Sequence, residues 1–170
     1  ETDPIYFKLG SYVECNFGLF EVCDLQKPAF NTNTAGYDYE LRLDAYYWKW
    51  KNKIFKYTPE TTGQEASWNL TAPLDVQAGI VLRNLKALGY TYKGQDFVFS
   101  IDSTVENKAL LMTYDNINIL DACFSMAKKW DCECWVTENI IHFGRCESGD
   151  AVDFEIGKNV QEMSQSESRS

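Results

Sequence analysis

Four side chains that could bind a metal lie close together near the C-terminal end of the sequence. Cys132 and Cys134 are separated by one residue, and His142, the only histidine, and Cys146 follow. Thiolate and imidazole groups are ligands that zinc prefers, but ordinary zinc sites place roughly two to four residues between paired ligands. The spacing therefore disfavours zinc, and we expect neither a metal nor a cofactor.

The six cysteines permit two further interpretations. Residues one apart on a strand point to the same face, so Cys132 and Cys134 fit a buried sheet face. Together with Cys123 they are typical of small apolar core residues in a protein that folds in a reducing compartment. Disulfide bonds are the alternative, and we favour reduced core thiols.

The sequence contains no catalytic motif. A nucleophile elbow, a phosphate-binding glycine loop, an HExxH helix and a dinucleotide fingerprint are all missing from it. With one histidine, acid–base chemistry would fall to carboxylates, and these are scattered over the polar sides of predicted elements. We expect His142 to face solvent or to cap a backbone group. We therefore predict that the chain is not an enzyme, with no catalytic, cofactor-binding or metal-binding residue.

Aromatic residues are concentrated between residues 37 and 57. A stacking platform for sugars is one interpretation, but their alternation indicates that half of them fill the interior. Lys49, Lys51, Lys53 and Lys56 alternate among them, and such a lysine comb is typical of a protected edge strand. We expect the comb to be a contact surface for another protein. The aromatic residues concerned are Tyr37, Tyr39, Tyr46, Tyr47, Trp48, Trp50, Phe55 and Tyr57.

The elements that position these residues are clearest at the C-terminal end. Asn118 and Asp121 have the spacing of a helix N-cap and its third helical residue, which predicts a helix at about 118–130. After this helix the apolar side chains alternate with every second residue, which predicts a β-hairpin at about 132–143. The residues predicted to form the buried helix face are Ile119, Leu120, Cys123, Met126, Ala127 and Trp130.

A second helix is predicted at about 73–88. Thr71 is its expected N-cap, Pro73 fits the first turn, and Gly89 fits the left-handed position after the last turn. Two predicted strands follow, so the helix–strand–strand order occurs twice and an αββ repeat is possible by duplication. An extra strand at 109–114 leads into the other helix.

The N-terminal residues predict an all-β region that resembles a barrel or sandwich. The expected strands are 5–9, 11–15, 18–25, a long strand at 37–47 and the edge strand at 48–57, with a loop at 26–36. Residues 58–67 read as a linker. The predicted division is an all-β domain at 1–62, a small α+β domain at 68–157 with a last strand at 151–156, and a polar tail at 158–170.

Composition excludes several classes of function. The chain has 170 residues, 45% of them hydrophobic, and a net charge of −9 from 16 basic and 25 acidic side chains. This charge opposes general binding to nucleic acid or to an anionic membrane surface, so we expect neither partner. The sequence has no initiator Met, which favours an excised fragment of a longer protein, with a processed mature form as the alternative.

The order and the local sequence of several segments resemble a known protein family. The segments are DPIYFKLGSYVECNFGLFEVCDL, YDYELRLDAYYWKWKNKIFKY, LRNLKALGY, YDNINILDACFSMAKKWDCECWV, IIHFGRCESGDAVDFEIG and MSQSESRS. They resemble phage tail proteins of the tail hub or tail-tip type, the group that includes prophage tail endopeptidases, in versions from Bacteroides-like prophages.

This resemblance implies a structural part of the virion tail, assembled in the bacterial cytoplasm. It implies self-association into a ring, usually a trimer, and contacts with other tail proteins where the tube joins the tip or baseplate. A lytic or peptidase part, which some members carry, has no counterpart in these residues. The alternative is a carbohydrate-binding or cell-surface adhesion module of a bacterium, and an enzyme domain ranks last.

Overall fold

The computed structural model describes residues 3–16, 18–61 and 65–146, and these form an α+β fold, as predicted. The predicted last strand at 151–156 and the polar tail at 158–170 lie outside the described residues. Within the described ranges, no helix has the length and apolar character needed to cross a membrane.

The N-terminal part contains two small sheets. Strands β1 (Tyr12–Cys15), β2 (Gly18–Val22) and β5 (Leu43–Ala45) form an antiparallel sheet with β2 in the centre. Strands β3 (Ala29–Asn31) and β4 (Gly36–Asp38) form a separate hairpin. Because β1 and β5 keep one edge unpaired in this sheet, the described residues form no closed barrel, and the barrel-like prediction is corrected to an open sheet.

Several predicted N-terminal strand boundaries are wrong. Residues 5–9 are not a strand, and the predicted loop at 26–36 contains β3. The long strand at 37–47 is interrupted between β4 and β5, because β4 pairs with β3 whereas β5 pairs with β2. Alternation along the chain did not reveal this change of partner.

The predicted edge strand at 48–57 is also wrong, because a 3-10 helix occupies Trp48–Asn52. A 3-10 helix places residues i and i+3 on one side. Tyr47 and Trp50 accordingly lie together with ring centroids 5.9 Å apart, and Trp50 is fully buried. Trp48 and Lys51 share the outer side, where the ammonium lies 4.3 Å from the Trp48 ring centroid.

The C-terminal part contains two units that begin with the same element order. The first is β6 (Ser67–Ala72), α1 (Leu74–Ala87), β7 (Thr91–Tyr92), β8 (Gln95–Asp96) and β9 (Val98–Ile101). The second is β10 (Leu110–Asp115), α2 (Ile119–Lys129), β11 (Glu133–Thr137) and β12 (Ile140–Gly144). Strand β6 pairs antiparallel with β10, β11 with β12, and β9 joins β12 in parallel. The first four elements of each unit follow the order strand–helix–strand–strand, which extends the predicted αββ pattern by one strand, and β9 is an additional strand of the first unit.

Both predicted helices are confirmed, although one predicted cap is wrong. The Asn118 side chain accepts a 2.9 Å hydrogen bond from the Asp121 backbone N–H, as expected for the N-cap of α2. Gly89 adopts a left-handed φ of +67° after α1, as predicted. Thr71 is not the N-cap of α1, because it lies within β6 and the cap position belongs to Pro73.

One hydrophobic core joins these elements. The predicted inner face of α2 is buried throughout, and the Trp130 indole N–H donates a 3.0 Å hydrogen bond to the Lys108 carbonyl. Tyr46, Trp50 and Phe55 belong to the same core, although they precede the predicted linker. The division into two domains stays a prediction, and the segment before the linker packs on the second unit.

Candidate functional site

A cleft of about 420 Å³ lies between the N-terminal sheet and the β7–β8 turn. We call it the aromatic cleft. Strands β1 and β2 form one wall, the 3-10 helix contributes to the base, and the β7–β8 turn forms the opposite wall. The lining residues are Tyr12, Glu14, Leu19, Tyr46, Lys49, Trp50, Thr91, Lys93, Gly94 and Phe97.

The floor of the aromatic cleft is built of buried aromatic rings. Tyr46, Trp50 and Phe97 are buried, and the Trp50 and Phe97 rings meet edge to face with centroids 4.9 Å apart. The Tyr46 hydroxyl donates a hydrogen bond to the Glu138 carbonyl, which fixes this side chain against the β11–β12 turn. Burial raises the pKa of Tyr46, so its hydroxyl remains a donor. This floor favours apolar groups over charged ones.

Lys49 links several side chains at the side of the cleft. Its ammonium donates a 2.7 Å hydrogen bond to the Tyr12 hydroxyl and lies 3.4 Å from a Glu21 carboxylate oxygen. It also lies 5.3 Å and 5.2 Å from the ring centroids of Tyr12 and Tyr90, within cation–π range. Burial opposes the charged form, but these partners outweigh it and raise the pKa of Lys49.

An ion pair spans the mouth of the cleft. The Lys93 ammonium, on the β7–β8 turn, lies 2.8 Å from a Glu14 carboxylate oxygen on β1. Lys93 and Gly94 both have positive φ, +48° and +84°, which makes the turn tight enough to present this ammonium. Each cationic side chain of the cleft thus faces a carboxylate, so the cleft has no charge surplus that would attract an ionic ligand.

The predicted lysine comb is not a single surface. Lys49 turns towards the aromatic cleft, whereas Lys51 covers the exposed Trp48 ring. The period-two spacing would align them only on a strand, and the 3-10 helix separates them. The expected comb as one contact surface is therefore corrected.

The predicted sugar platform is divided in the same way. Three of the eight residues, Tyr46, Trp50 and Phe55, are buried, and Tyr47 packs partly buried against the same core, so the core interpretation holds for these four. Trp48 and Tyr57 are exposed on different elements. No flat row of exposed rings forms among these residues.

The four candidate metal ligands are not brought together. Cys134 is paired with the buried Phe143, whereas His142 is paired with Trp135 and therefore lies on the opposite face of the sheet. The described residues contain no cluster of metal ligands. His142 does not cap a backbone group: its ring stacks on Trp135 at 5.0 Å, and its Nε2 lies 2.6 Å from the Thr137 hydroxyl.

The cysteines occupy three environments, and all six are free. Cys123 is buried in the core, as predicted, and Cys132 and Cys134 are half-buried. The remaining thiols are exposed, at Cys15, Cys23 and Cys146. The interpretation as core residues is therefore confirmed for Cys123 and holds only in part for its two neighbours.

A second feature, missed in the sequence, is an exposed apolar segment that we call the N-terminal strip: Ile5, Tyr6, Phe7 and Leu9. Ile5 is 69% exposed and Tyr6 67%. The backbone of Phe7 is held on both sides by the Gln26 amide, at 2.6 and 2.9 Å, and the Tyr39 hydroxyl accepts a 2.7 Å bond from the Ile5 N–H. Consecutive apolar residues without alternation were the available signal, because a half-buried strand would alternate.

Comparison of the chain with protein-family models, with curated proteins and with solved structures finds no match. Function has therefore to be inferred from the aromatic cleft and the N-terminal strip themselves.

Proposed function

We propose that this chain is an assembly module of a phage or prophage tail, a hub or tail-tip part that acts through contacts with copies of itself and with other tail proteins. The observation that carries the proposal is the N-terminal strip. Its apolar side chains stand in water while the rest of the chain has a well-packed core. Contiguous apolar exposure of this kind marks interaction surfaces in soluble proteins.

The neighbouring structure supports association through this region. Leu25, next to the Gln26 that holds the strip, is 73% exposed and extends the apolar surface. Strands β1 and β5 have free edges in their sheet, and free edges are templates for pairing with another chain.

The tail context comes from the resemblance of the sequence segments. It assigns the assembled chain to the virion tail, as a ring of three copies that joins the tube to the distal tip and has no catalytic role. The strand–helix–strand–strand order that occurs twice is then the trace of a duplicated unit, with β6 and β10 as equivalent strands.

Immunogold electron microscopy of purified tail particles tests this function. An antibody against the chain is expected to label the distal end of the tail. The variant Ile5→Asp/Tyr6→Asp is expected to reduce incorporation into particles, whereas Leu111→Asp, an exposed apolar residue on β10, serves as a matched control. Particles without label, or label distributed along the tube, would contradict the hub proposal.

The aromatic cleft favours a second candidate function, carbohydrate binding in a surface adhesion module. An exposed ring, Tyr12, lies in the same cleft as the Glu14 carboxylate and the Lys93 ammonium, and sugars combine ring stacking with such polar contacts. Titration with neutral oligosaccharides, followed by tryptophan fluorescence in the wild type and in a Trp50→Phe variant that lacks the signal from the cleft, tests it. Saturable quenching that Tyr12→Ala abolishes would favour this candidate over assembly.

A further inference from the structure

We propose that Cys123 and Cys134 are a redox-active thiol pair, which a hydroperoxide oxidises to a disulfide bond between α2 and β11. Two thiols from different elements meet here at the edge of the core. The Cys123 thiol donates a hydrogen bond to the Cys134 sulfur. Cys123 is only 1% exposed, whereas Cys134 is half-buried. The inference is independent of the assembly function, because the pair belongs neither to the N-terminal strip nor to the aromatic cleft.

The packing of α2 on β11 brings the two thiols together. Cys123 lies on the buried face of α2, within the hydrophobic core. Cys134 is paired with the buried Phe143 across the β11–β12 hairpin, so it lies on the core face of this sheet and packs against the same core. The Cys132 backbone N–H donates a 2.9 Å hydrogen bond to the Ala127 carbonyl, which fixes the end of α2 against the start of β11. The contact between the two thiols is therefore built into the fold.

An open hollow of about 690 Å³ gives solvent access to one member of the pair. Phe124 of α2 and Trp135 of β11 line this hollow, and Cys134 lines it between them, whereas the buried Cys123 is not among its lining residues. A small neutral oxidant such as hydrogen peroxide can therefore reach the Cys134 sulfur from the hollow. Oxidation reaches the Cys123 sulfur only through Cys134.

The reaction consists of two balanced steps. The Cys134 sulfur attacks one oxygen of the peroxide and becomes a sulfenic acid, and the other oxygen leaves as water. The Cys123 sulfur then attacks the Cys134 sulfur, the S–O bond breaks, and the hydroxyl leaves with the Cys123 proton as a second water. The hydrogen bond to Cys134 and burial raise the pKa of Cys123, so this thiol stays protonated and does not react with the oxidant itself.

The neighbouring Cys132 is a matched control for exposure. It is half-buried like Cys134 and lines the same hollow. Residues two apart along an extended strand have Cβ atoms roughly 6–7 Å apart. A disulfide bond requires Cβ atoms about 3.5–4.5 Å apart. Cys132 and Cys134 are therefore not expected to form a disulfide bond with each other.

Oxidation of the full chain by hydrogen peroxide, followed by mass spectrometry, tests the pair. The reduced protein is treated with peroxide, the remaining thiols are alkylated in denaturant, and tryptic peptides are analysed without reduction. Cys132 and Cys134 share one tryptic peptide, because residues 130–144 contain no Lys or Arg. The variant Cys132→Ser therefore assigns the link. Cys134→Ser and Cys123→Ala each remove one partner, and circular dichroism checks that all three variants keep the fold.

In the wild type and in Cys132→Ser, the peptide that contains Cys123 is expected to be linked to the peptide that contains Cys134. The yield should not change over an about tenfold dilution, because the reaction takes place within one chain. In Cys134→Ser the link is expected to be absent and Cys123 to stay reduced. In Cys123→Ala, Cys134 should stop at the sulfenic acid, which a carbon nucleophile such as dimedone traps.

Four results would overturn the inference, and none of them bears on the assembly function. A link that persists in Cys134→Ser but disappears in Cys132→Ser would show that Cys123 has a different partner. Oxidation of Cys134 to a sulfinic acid without a link to Cys123 would show that the two sulfur atoms do not meet. A yield that falls on dilution would show that the links join different chains. Reduced Cys134 in protein whose three exposed cysteines are oxidised would show that the hollow does not admit the oxidant.

Discussion

The buried link between Tyr114 and Gln77 permits a quantitative prediction about the core. Both side chains are almost fully buried, and the Tyr114 hydroxyl donates to the Gln77 Oε1. The Gln77 amide N–H groups donate to the carbonyls of Ala72 and Leu110, at 3.2 Å each. One glutamine thus joins α1 to both strands of the β6–β10 sheet. Tyr114→Phe keeps the ring and removes only the hydroxyl.

We expect this substitution to cost about 1–3 kcal/mol, because Gln77 Oε1 is left buried without its donor. The ring contacts of Tyr114 with Phe55 and Trp68, at centroid distances of 5.0 and 4.4 Å, are retained. For a chain of this size, a loss of about 2 kcal/mol lowers Tm by roughly 4–8 °C. Gln77→Leu should cost more, because two backbone carbonyls also lose a donor.

The same tyrosine gives the effect a pH dependence. Burial, followed by the nearby Cys123 thiol, raises the pKa of Tyr114 above its ordinary value of about 10. Above that pH the unfolded chain loses the Tyr114 proton while the folded chain retains it. The stability of the wild type therefore falls as pH rises from about 10 towards the folded pKa. Tyr114→Phe lacks this loss, so the difference between the two proteins should shrink above pH 10.

Urea unfolding measures the free energy of unfolding of each protein. The proteins compared are the wild type, both single variants and the double variant Gln77→Leu/Tyr114→Phe. The double variant should cost less than the sum of the singles, since the orphaned oxygen is absent once Gln77 is replaced. Strict additivity at neutral pH, or a stability difference for Tyr114→Phe that stays constant up to pH 11, would refute the assignment of this hydrogen bond.

Four further predictions concern single positions. Trp130→Ala should cost about 3–5 kcal/mol because the indole is only 6% exposed, and an unchanged Tm would exclude a core role. Asn118→Ala should cost about 1 kcal/mol through loss of the α2 cap, whereas Asn139→Ala should leave the helix unaffected in amide exchange. Burial lowers the pKa of His142, so the Hε1 resonance of His142 should titrate with a midpoint below 6.5. The free energy of unfolding should then fall as the pH drops from 6.5 through the midpoint of the folded protein, and a midpoint at or above 6.5 would contradict the burial of the ring. A thiol reagent should modify the exposed cysteines rapidly and Cys123 only after denaturation, when all six react; early modification of Cys123 would show that it is not buried.

The sequence predicted the elements whose signals are local. The cap at Asn118, the left-handed Gly89 and the three-and-four spacing of the α2 face depend on neighbouring residues, and the structure contains each of them. The β11–β12 hairpin was predictable for the same reason, since alternation and a two-residue turn determine its register.

The N-terminal region was not predictable in the same way, because its strand limits depend on distant partners. Residues 37–47 alternate like one strand, yet β4 and β5 pair with different strands. Trp50 is buried in the core, where it packs between α2 and Phe97. This burial favours the observed 3-10 helix over the strand that the alternating lysines predicted.

The aromatic cleft could not be deduced from spacing, because residues far apart in the chain assemble it. Glu14 and Lys93 meet only after the N-terminal sheet packs against the β7–β8 turn. Lys49 was identified as a contact residue, but its partners Tyr12, Glu21 and Tyr90 carry no sequence signal for this role. The position of Lys93 and Gly94 at the mouth of the cleft carried no sequence signal either.

Sedimentation velocity of the wild-type chain across a wide concentration range tests the assembly function most directly. The N-terminal strip is a short segment of four apolar side chains, so a contact made through it is small and association should be transient. We predict a sedimentation coefficient that rises with concentration and that the Ile5→Asp/Tyr6→Asp variant no longer shows. A single monomeric species up to the highest concentration, identical for wild type and variant, would contradict assembly through the N-terminal strip.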